Sequence, residues 1–205
     1  NITPEKLESS IEELADSIKK SQMFFIPGGF SMSDEPDGSA KFIANVLRNE
    51  KVSSAIEYLL DENGQDGLIL GICNGFQALI KTGLLPYGKI MKLEETSPTL
   101  TYNEVGRHIS KIIPTVGITN DGPWLKYIEK DVCYNVPISH GEGRFVADDN
   151  CIEELVKNNQ IAFKYVINPN GSKCDIEGIM DNTGKILGKM GHSERVSGDT
   201  YKNFG

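Results

Sequence analysis

Apolar residues recur along this chain in two rhythms, and the point where one gives way to the other is its most informative stretch. Leu68, Ile69, Leu70 and Ile72 form a short apolar run of the kind that makes a fully buried strand. Immediately afterwards Phe76, Leu79 and Ile80 take up helical spacing over Asn74 to Thr82. Gly83 stands where a C-terminal cap would stop that helix.

The same reading orders the rest of the chain. Thr3 and Pro4 open a helix as cap and first helical residue, and Leu7, Ile11, Leu14 and Ile18 lay one apolar stripe along it. Met23 to Ile26 is a strand ended by Pro27-Gly28-Gly29. Phe42, Ile43, Val46 and Leu47 predict a helix, and Ile56, Leu59 and Leu60 a second helix or its continuation. Leu84 to Gly88 reads as a turn, and Leu100–Asn103 and Ile109–Ile118 as strands, with Trp124 at the core margin in a short turn or helix. Val132 to Ile138 is a further strand, followed by a Gly-rich loop that begins Ser139-His140-Gly141-Glu142. Asn150 to Asn158 is a short amphipathic helix and Ile161 to Val166 a strand. Glu177–Met180 and Lys185–Met190 flank Asn182-Thr183-Gly184 as a hairpin that delivers Gly191-His192-Ser193-Glu194-Arg195. Strands alternating with helices predict an α/β fold. A doubly wound sheet normally begins with a strand, so the helix-first order predicts that a strand upstream of Asn1 belongs to the same domain.

At the junction, Gly71-Ile72-Cys73-Asn74-Gly75 has the G-x-nucleophile-x-G pattern of a nucleophile elbow, with sulfur as the nucleophile. A strand that turns at once into a helix strains its middle residue and crowds the positions two either side, which glycine relieves. The helix N-terminus then favours the thiolate through its dipole and its N–H groups. A cysteine can equally be a small buried hydrophobe; the paired glycines at this junction favour the nucleophile. Gly28 and Gly29, after the preceding strand, let backbone N–H groups approach a ligand, one way to build half of an oxyanion hole; taken alone, the pair reads more readily as a plain tight turn.

Size and charge narrow the setting. The 205 residues suffice for one sizeable core, no linker-like stretch divides them, and we read residues 1–205 as one domain. A net charge of -8 without a basic patch argues against a nucleic-acid partner. No apolar stretch is long enough to span a bilayer, which argues against a membrane partner. The four cysteines lie 60, 18 and 23 residues apart, a spacing that fits neither zinc nor a disulfide framework, so we expect a reducing, cytoplasmic setting.

A cysteine nucleophile needs a base and, usually, a group that orients the base. The candidates are His108, His140 and His192. His192 has Glu194 two residues on, within reach in an extended or turning segment. His140 has Glu142 beside it in the Gly-rich loop and stands second. His108 has only Glu104 near.

PGGFS, the GICNGFQ elbow and a late H-x-E are, in this order, the pattern of class I, triad-type glutamine amidotransferases. FIPGGFSMSDEPDGSAKFIANVLRN, LGICNGFQALIKTGLLPYG, PISHGEGRF, PNGS and GKMGHSER resemble, more narrowly, the glutaminase portion of phosphoribosylformylglycinamidine synthases over about Thr3 to Gly205. Many class I members carry H-P-E, where this chain has Ser193 in the middle; that residue is not itself a catalytic group.

The resemblance implies a flavodoxin-like fold with a mostly parallel central sheet flanked by helices. It implies glutamine as substrate, Cys73 as nucleophile, His192 as base and Glu194 as its orienter. The oxyanion and substrate contacts would come from Gly28, Gly29, Phe30, Asn74, Gln77 and His140, with Gln77 binding substrate or bracing the PGGFS loop. Glu142 and Arg144 would line the pocket or meet the synthase part. No phosphate loop of the G-x-x-x-x-G-K-[ST] kind is present, so we expect no cofactor or metal in this domain. ATP and magnesium are then expected on a synthase domain, in the same or a separate chain, with the single-chain arrangement favoured by the G-H-S-E-R ending. Another elbow-cysteine hydrolase on a similar scaffold, such as a peptidase or a stress-response protein, is the alternative.

Overall fold

A computed structural model describes residues 3–29 and 40–195. Helix α1 (Pro4–Lys20) starts with the Thr3 hydroxyl accepting the Lys6 N–H, and its buried stripe includes Ala15 and Ile18. Strand β1 (Met23–Ile26) follows, then helices α2 (Lys41–Leu47) and α3 (Glu50–Leu60). Asn49 breaks the pair and caps α3 by accepting the Lys51 N–H, so the apolar run is two helices rather than one. Strand β2 (Leu68–Ile72) passes through Cys73 into α4 (Asn74–Thr82), which Gly83 ends in the left-handed conformation. The expected turn at Leu84–Gly88 contains a one-turn helix α5 (Leu84–Tyr87), with Leu85 extended inside it.

The second half supplies β3 (Thr99–Thr101), β4 (Ile109–Gly117), α6 (Gly122–Leu125), β5 (Cys133–His140) and β6 (Arg144–Val146). It closes with α7 (Asp149–Lys157), β7 (Ile161–Tyr165), β8 (Ile176–Met180) and β9 (Ile186–Lys189). Seven strands form one sheet in the order β1-β2-β9-β8-β7-β4-β5, while β3 and β6 pair as a separate ribbon. The α/β class holds, with helices packed against the sheet. The strand pairing differs from the expected mostly parallel sheet: β1–β2 and β2–β9 are parallel, and β9–β8, β8–β7, β7–β4 and β4–β5 are antiparallel. The connections explain the difference. A parallel neighbour needs a crossover of about a dozen residues or more, usually through a helix. The tight turn at Asn182-Thr183-Gly184 between β8 and β9 permits only an antiparallel return.

Helix α4 is the centre of the core. Every residue from Asn74 to Ile80 is buried, and Phe76, Ala78 and Leu79 are wholly enclosed. Full burial of a side chain such as Phe76 or Leu79 stabilises by about 1.5–3 kcal/mol each. The helix lies so close to the sheet that glycine is required beneath it. A Cβ on Gly188 would stand 2.2 Å from Phe76 Cδ2, and one on Gly75 would stand 2.0 Å from the Ile26 carbonyl oxygen. Among the described residues, no helix is long and apolar enough to cross a membrane.

The two glycines carry different obstacles, and their alanine variants should separate. Gly188→Ala presses mainly on side chains, which yield in part, and should cost about 1–3 kcal/mol. Gly75→Ala presses on backbone, and its gain in helix propensity of roughly 1 kcal/mol cannot offset a Cβ placed 2.0 Å from a carbonyl oxygen. We expect Gly75→Ala to be the less stable of the two by urea denaturation. Equal midpoints would contradict this account of how α4 seats on the sheet.

Candidate active site

Cys73 lies between β2 and α4 with φ 51° and ψ −103°, a left-handed conformation that a non-glycine residue adopts only when its surroundings enforce it. Two backbone bonds do so. The Cys73 N–H donates to the Lys189 carbonyl at 2.8 Å, and the Gln77 N–H donates to the Cys73 carbonyl at 3.0 Å, closing the first turn of α4. The flanking glycines follow from crowding at this turn: a Cβ on Gly71 would stand 2.8 Å from the Gly75 carbonyl carbon and oxygen. The thiol is buried, 6 % exposed, and donates to the Ser139 carbonyl on β5 at 3.7 Å.

His192 reaches the same place by a different strand. β9 runs parallel beside β2 with Ile72 opposite Lys189, so the chain leaving β9 emerges next to the elbow. The His192 N–H donates to the Pro137 carbonyl at 2.8 Å, which fixes the backbone three residues beyond the end of β9. Its Nδ1 lies 2.6 Å from Glu194 Oε1, leaving Nε2 buried with no hydrogen-bond partner among the described residues. Gly28 marks the meeting point of the two side chains. A Cβ there would lie 2.5 Å from His192 Cε1 and 3.4 Å from Cys73 Cβ. The loop after β1 therefore has to be glycine where it passes the imidazole and the thiol-bearing residue.

Burial is the largest influence on the His192 imidazole and holds its pKa below the ordinary value, as do the charges of Arg195 and Lys189. The Glu194 hydrogen bond and charge act in the opposite direction. A neutral imidazole with Nδ1–H held by a carboxylate presents Nε2 as a proton acceptor.

The remaining residues singled out from the sequence divide. Gly28 stands at the site, Gly29 follows it as an exposed residue, and Asn74 is the first residue of α4. Phe30 lies outside the described residues. The Gln77 amide nitrogen donates to the Glu142 carbonyl at 2.5 Å and so braces the loop after β5; the PGGFS loop it was expected to brace lies, from Phe30 onward, outside the described residues. His140 is the last residue of β5, not part of the loop, and its Nδ1 lies 3.0 Å from Asn103 Oδ1. The sequence-adjacent pair His140–Glu142 is thus replaced by His140–Asn103. Burial first, and then the charges of His108 and His192, bring the His140 pKa down to about 4, so this imidazole is neutral near pH 7. Among the described residues, buried Glu142 has no partner for Oε1, and half-buried Arg144 has none for its buried Nε. His108 Nε2 lies 3.0 Å from the Ser139 hydroxyl, at the rim.

Sequence reasoning missed Asn103. Its side-chain nitrogen donates to the His140 carbonyl at 2.8 Å and the Arg107 carbonyl at 3.0 Å, and its oxygen accepts the Gly143 N–H at 3.3 Å. One amide thereby ties the end of β5 to two loops. Nothing local to Leu100–Asn103 signals this, because its partners lie up to 40 residues away. Among the described residues, no group of three or more His, Cys, Asp or Glu side chains is placed to hold a metal ion.

Comparison with known proteins gives the arrangement a family. Residues 5–204 match the CobB/CobQ-like glutamine amidotransferase domain. The chain is similar to a solved structure of PurLQS from Thermotoga maritima, at 33 % identity over 85 % of this chain and 69 % of that one, with a TM-score of 0.64. It shares its fold with the glutaminase domain of CTPS from Trypanosoma brucei, solved with bound acivicin. That likeness is at 15 % identity over 96 % of this chain and 70 % of that one, with a TM-score of 0.52. A family match over nearly the whole chain, joined to a one-third identical structure, is decisive: the chain belongs to the CobB/CobQ-like glutamine amidotransferase domain family.

Proposed function

We propose that this domain hydrolyses L-glutamine to glutamate and ammonia through Cys73, and that the ammonia feeds a synthase partner. The observation that carries the reading is the convergence of the strained Cys73 elbow and the His192–Glu194 pair over Gly28. In the first half-reaction the Cys73 sulfur attacks the side-chain amide carbon of glutamine. The thiol proton passes to His192 Nε2 and from there to the departing nitrogen, which leaves as ammonia. In the second, His192 takes a proton from water, the hydroxide oxygen attacks the thioester carbon, and the sulfur leaves with its electron pair. Protonation of that sulfur by His192 returns the thiol and releases glutamate. Glu194 holds the imidazole tautomer throughout and stabilises its charged form.

Each tetrahedral intermediate places negative charge on the former amide oxygen. The N–H groups of Gly29 and Asn74 are the donors we assign to it, and loss of one such donor typically costs about 3 kcal/mol of barrier. The Cys73 thiolate gains from the same helix end.

We assign the synthase to the amidine-forming step of purine biosynthesis, the conversion of formylglycinamide ribonucleotide to its amidine. Two observations support this. The chain's long motifs resemble phosphoribosylformylglycinamidine synthases, and PurLQS from Thermotoga maritima is one-third identical to it. Amidine formation consumes ATP, and we place ATP and magnesium on the synthase part. The family match favours glutamine over the substrates of peptidases or stress-response hydrolases.

Cys73→Ala should reduce glutamate release by about a thousandfold or more, while the complete enzyme still makes product from added ammonia. Retained glutamate release by this variant would remove Cys73 from the mechanism. Glu194→Gln should lower kcat by roughly a hundredfold to ten-thousandfold through loss of the tautomer lock. Because Glu194 favours the imidazolium, its neutralisation lowers the His192 pKa, and the acid limb of kcat/KM should move to lower pH. A limb that stays in place, or rises, would show that Glu194 does not act on His192.

A further inference from the structure

The hairpin β8–β9 carries a buried ion pair that the mechanism above does not use. Glu177 on β8 is wholly enclosed, and Lys189, the last residue of β9, is 5 % exposed. Their charged ends face each other, with Lys189 Nζ 3.8 Å from Glu177 Oε1. Burial is costly for both ions, and a pair at this distance repays it only through further hydrogen bonds. Those further bonds go to particular places. Glu177 Oε1 accepts the Gly191 N–H at 2.5 Å, and Lys189 Nζ donates to the Ser193 hydroxyl at 3.0 Å. Gly191 and Ser193 are the residues on either side of His192.

We propose that Glu177 and Lys189 are positioning residues for His192, a buried ion pair that grips the chain immediately before and immediately after the base. This rests on the glutaminase reading of the site. The backbone around the pair supports a clamp. Met190 N–H donates to the Glu177 carbonyl at 3.1 Å and His192 N–H to the Pro137 carbonyl at 2.8 Å, so the strand is held until it reaches the imidazole. Beyond that point the segment 192–195 has no regular structure, and the side chains of the pair take over. Gly191 admits the grip by having no side chain: a Cβ there would stand 2.6 Å from Glu177 Oε1 and 2.8 Å from Val136 Cγ2. The Lys189 ammonium is steadied from one side by the Phe163 ring, whose centroid lies 4.3 Å away. Ser193, which occupies the middle of H-S-E where proline is common in class I enzymes, here supplies the hydroxyl that the lysine holds.

The pair also shapes the charge around the base. The groups facing this region are Glu194 and Arg195 from its own segment, Lys189 from β9, Glu177 from β8, His140 from β5, Tyr165 from β7 and Cys73 from the elbow. Of these, Lys189 is a buried cation that acts against protonation of the imidazole. Burial raises the Glu177 carboxyl pKa, and Lys189 and the Gly191 N–H pull it back. Tyr165 and Glu177 Oε2 complete the enclosed polar wall.

The test compares variants in the complete enzyme by two readouts, glutamate release from glutamine and the pH dependence of Cys73 alkylation by iodoacetamide. Glu177→Ala should lower kcat roughly tenfold to a hundredfold, because a small misplacement of the base is enough to do so, with KM within a few-fold of wild type. Glu177→Gln keeps an acceptor for the Gly191 N–H and should recover part of that loss. Lys189→Met removes a buried cation, which disfavours the thiolate, so the alkylation midpoint should move up by about half a unit or more. A folded Glu177→Ala enzyme with wild-type kcat overturns the grip, and an unmoved alkylation midpoint in Lys189→Met overturns the electrostatic role. Should Glu177→Ala fail to fold, Ser193→Ala decides the first point, since it alters an exposed side chain. It should cost about fivefold in kcat, as for one lost hydrogen bond, and no change would overturn the grip. If the wild-type enzyme releases no glutamate, the glutaminase reading fails, and the alkylation arm still reports on the lysine.

Discussion

The crossing from β2 into α4 sets the terms for the rest of the molecule. A strand that becomes a helix within one residue forces that residue to a positive φ and drives its neighbours together. The chain meets this with glycine at Gly71 and Gly75, and the enclosed helix behind them supplies apolar burial well in excess of the strain. Strain of this kind costs on the order of 1–3 kcal/mol, comparable to the burial of a single side chain such as Phe76. Because α4 seats directly on β1, β2 and β9, each strand must provide clearance, and Gly188 does so beneath Phe76.

His192 arrives beside the elbow because of parallel pairing. β2 and β9 point the same way and are in register, so the residues that follow them emerge at the same end of the sheet. An antiparallel β9 would have sent His192 to the opposite end. The reversal needed to bring the chain back is confined to the β8–β9 turn and the strands beyond it, which explains why the sheet is parallel only on the side that carries Cys73 and His192.

Charge at the site is governed more by burial than by neighbours. Both His140 and His192 are enclosed, and enclosure is the leading influence that keeps each below its ordinary pKa. What separates them is the partner at Nδ1. Glu194 offers His192 an anion that favours the charged form, whereas Asn103 offers His140 only a neutral amide oxygen. The first arrangement suits a group that gains and loses protons, and the second suits one that stays neutral and holds loops together.

The elbow was legible in the sequence because everything it requires is local. Strand, glycine, cysteine, glycine and helix follow one another within a few residues, and the steric cause acts between them. The same is true of His192 and Glu194, two residues apart on one segment, and of the helix capped at Thr3. The pairing of His140 was not legible. Glu142 is its neighbour in sequence, but the end of β5 turns the ring toward Asn103 on another segment. Likewise the mixed sheet, the bracing of the loop after β5 by Gln77 and the Glu177–Lys189 pair depend on which strands lie side by side. Local sterics and apolar periodicity therefore determined the elements and the cysteine elbow from the sequence alone. Tertiary structure decided which histidine meets it and how that histidine is held, because hydrogen bonds between residues distant in the chain leave no periodic trace in its sequence.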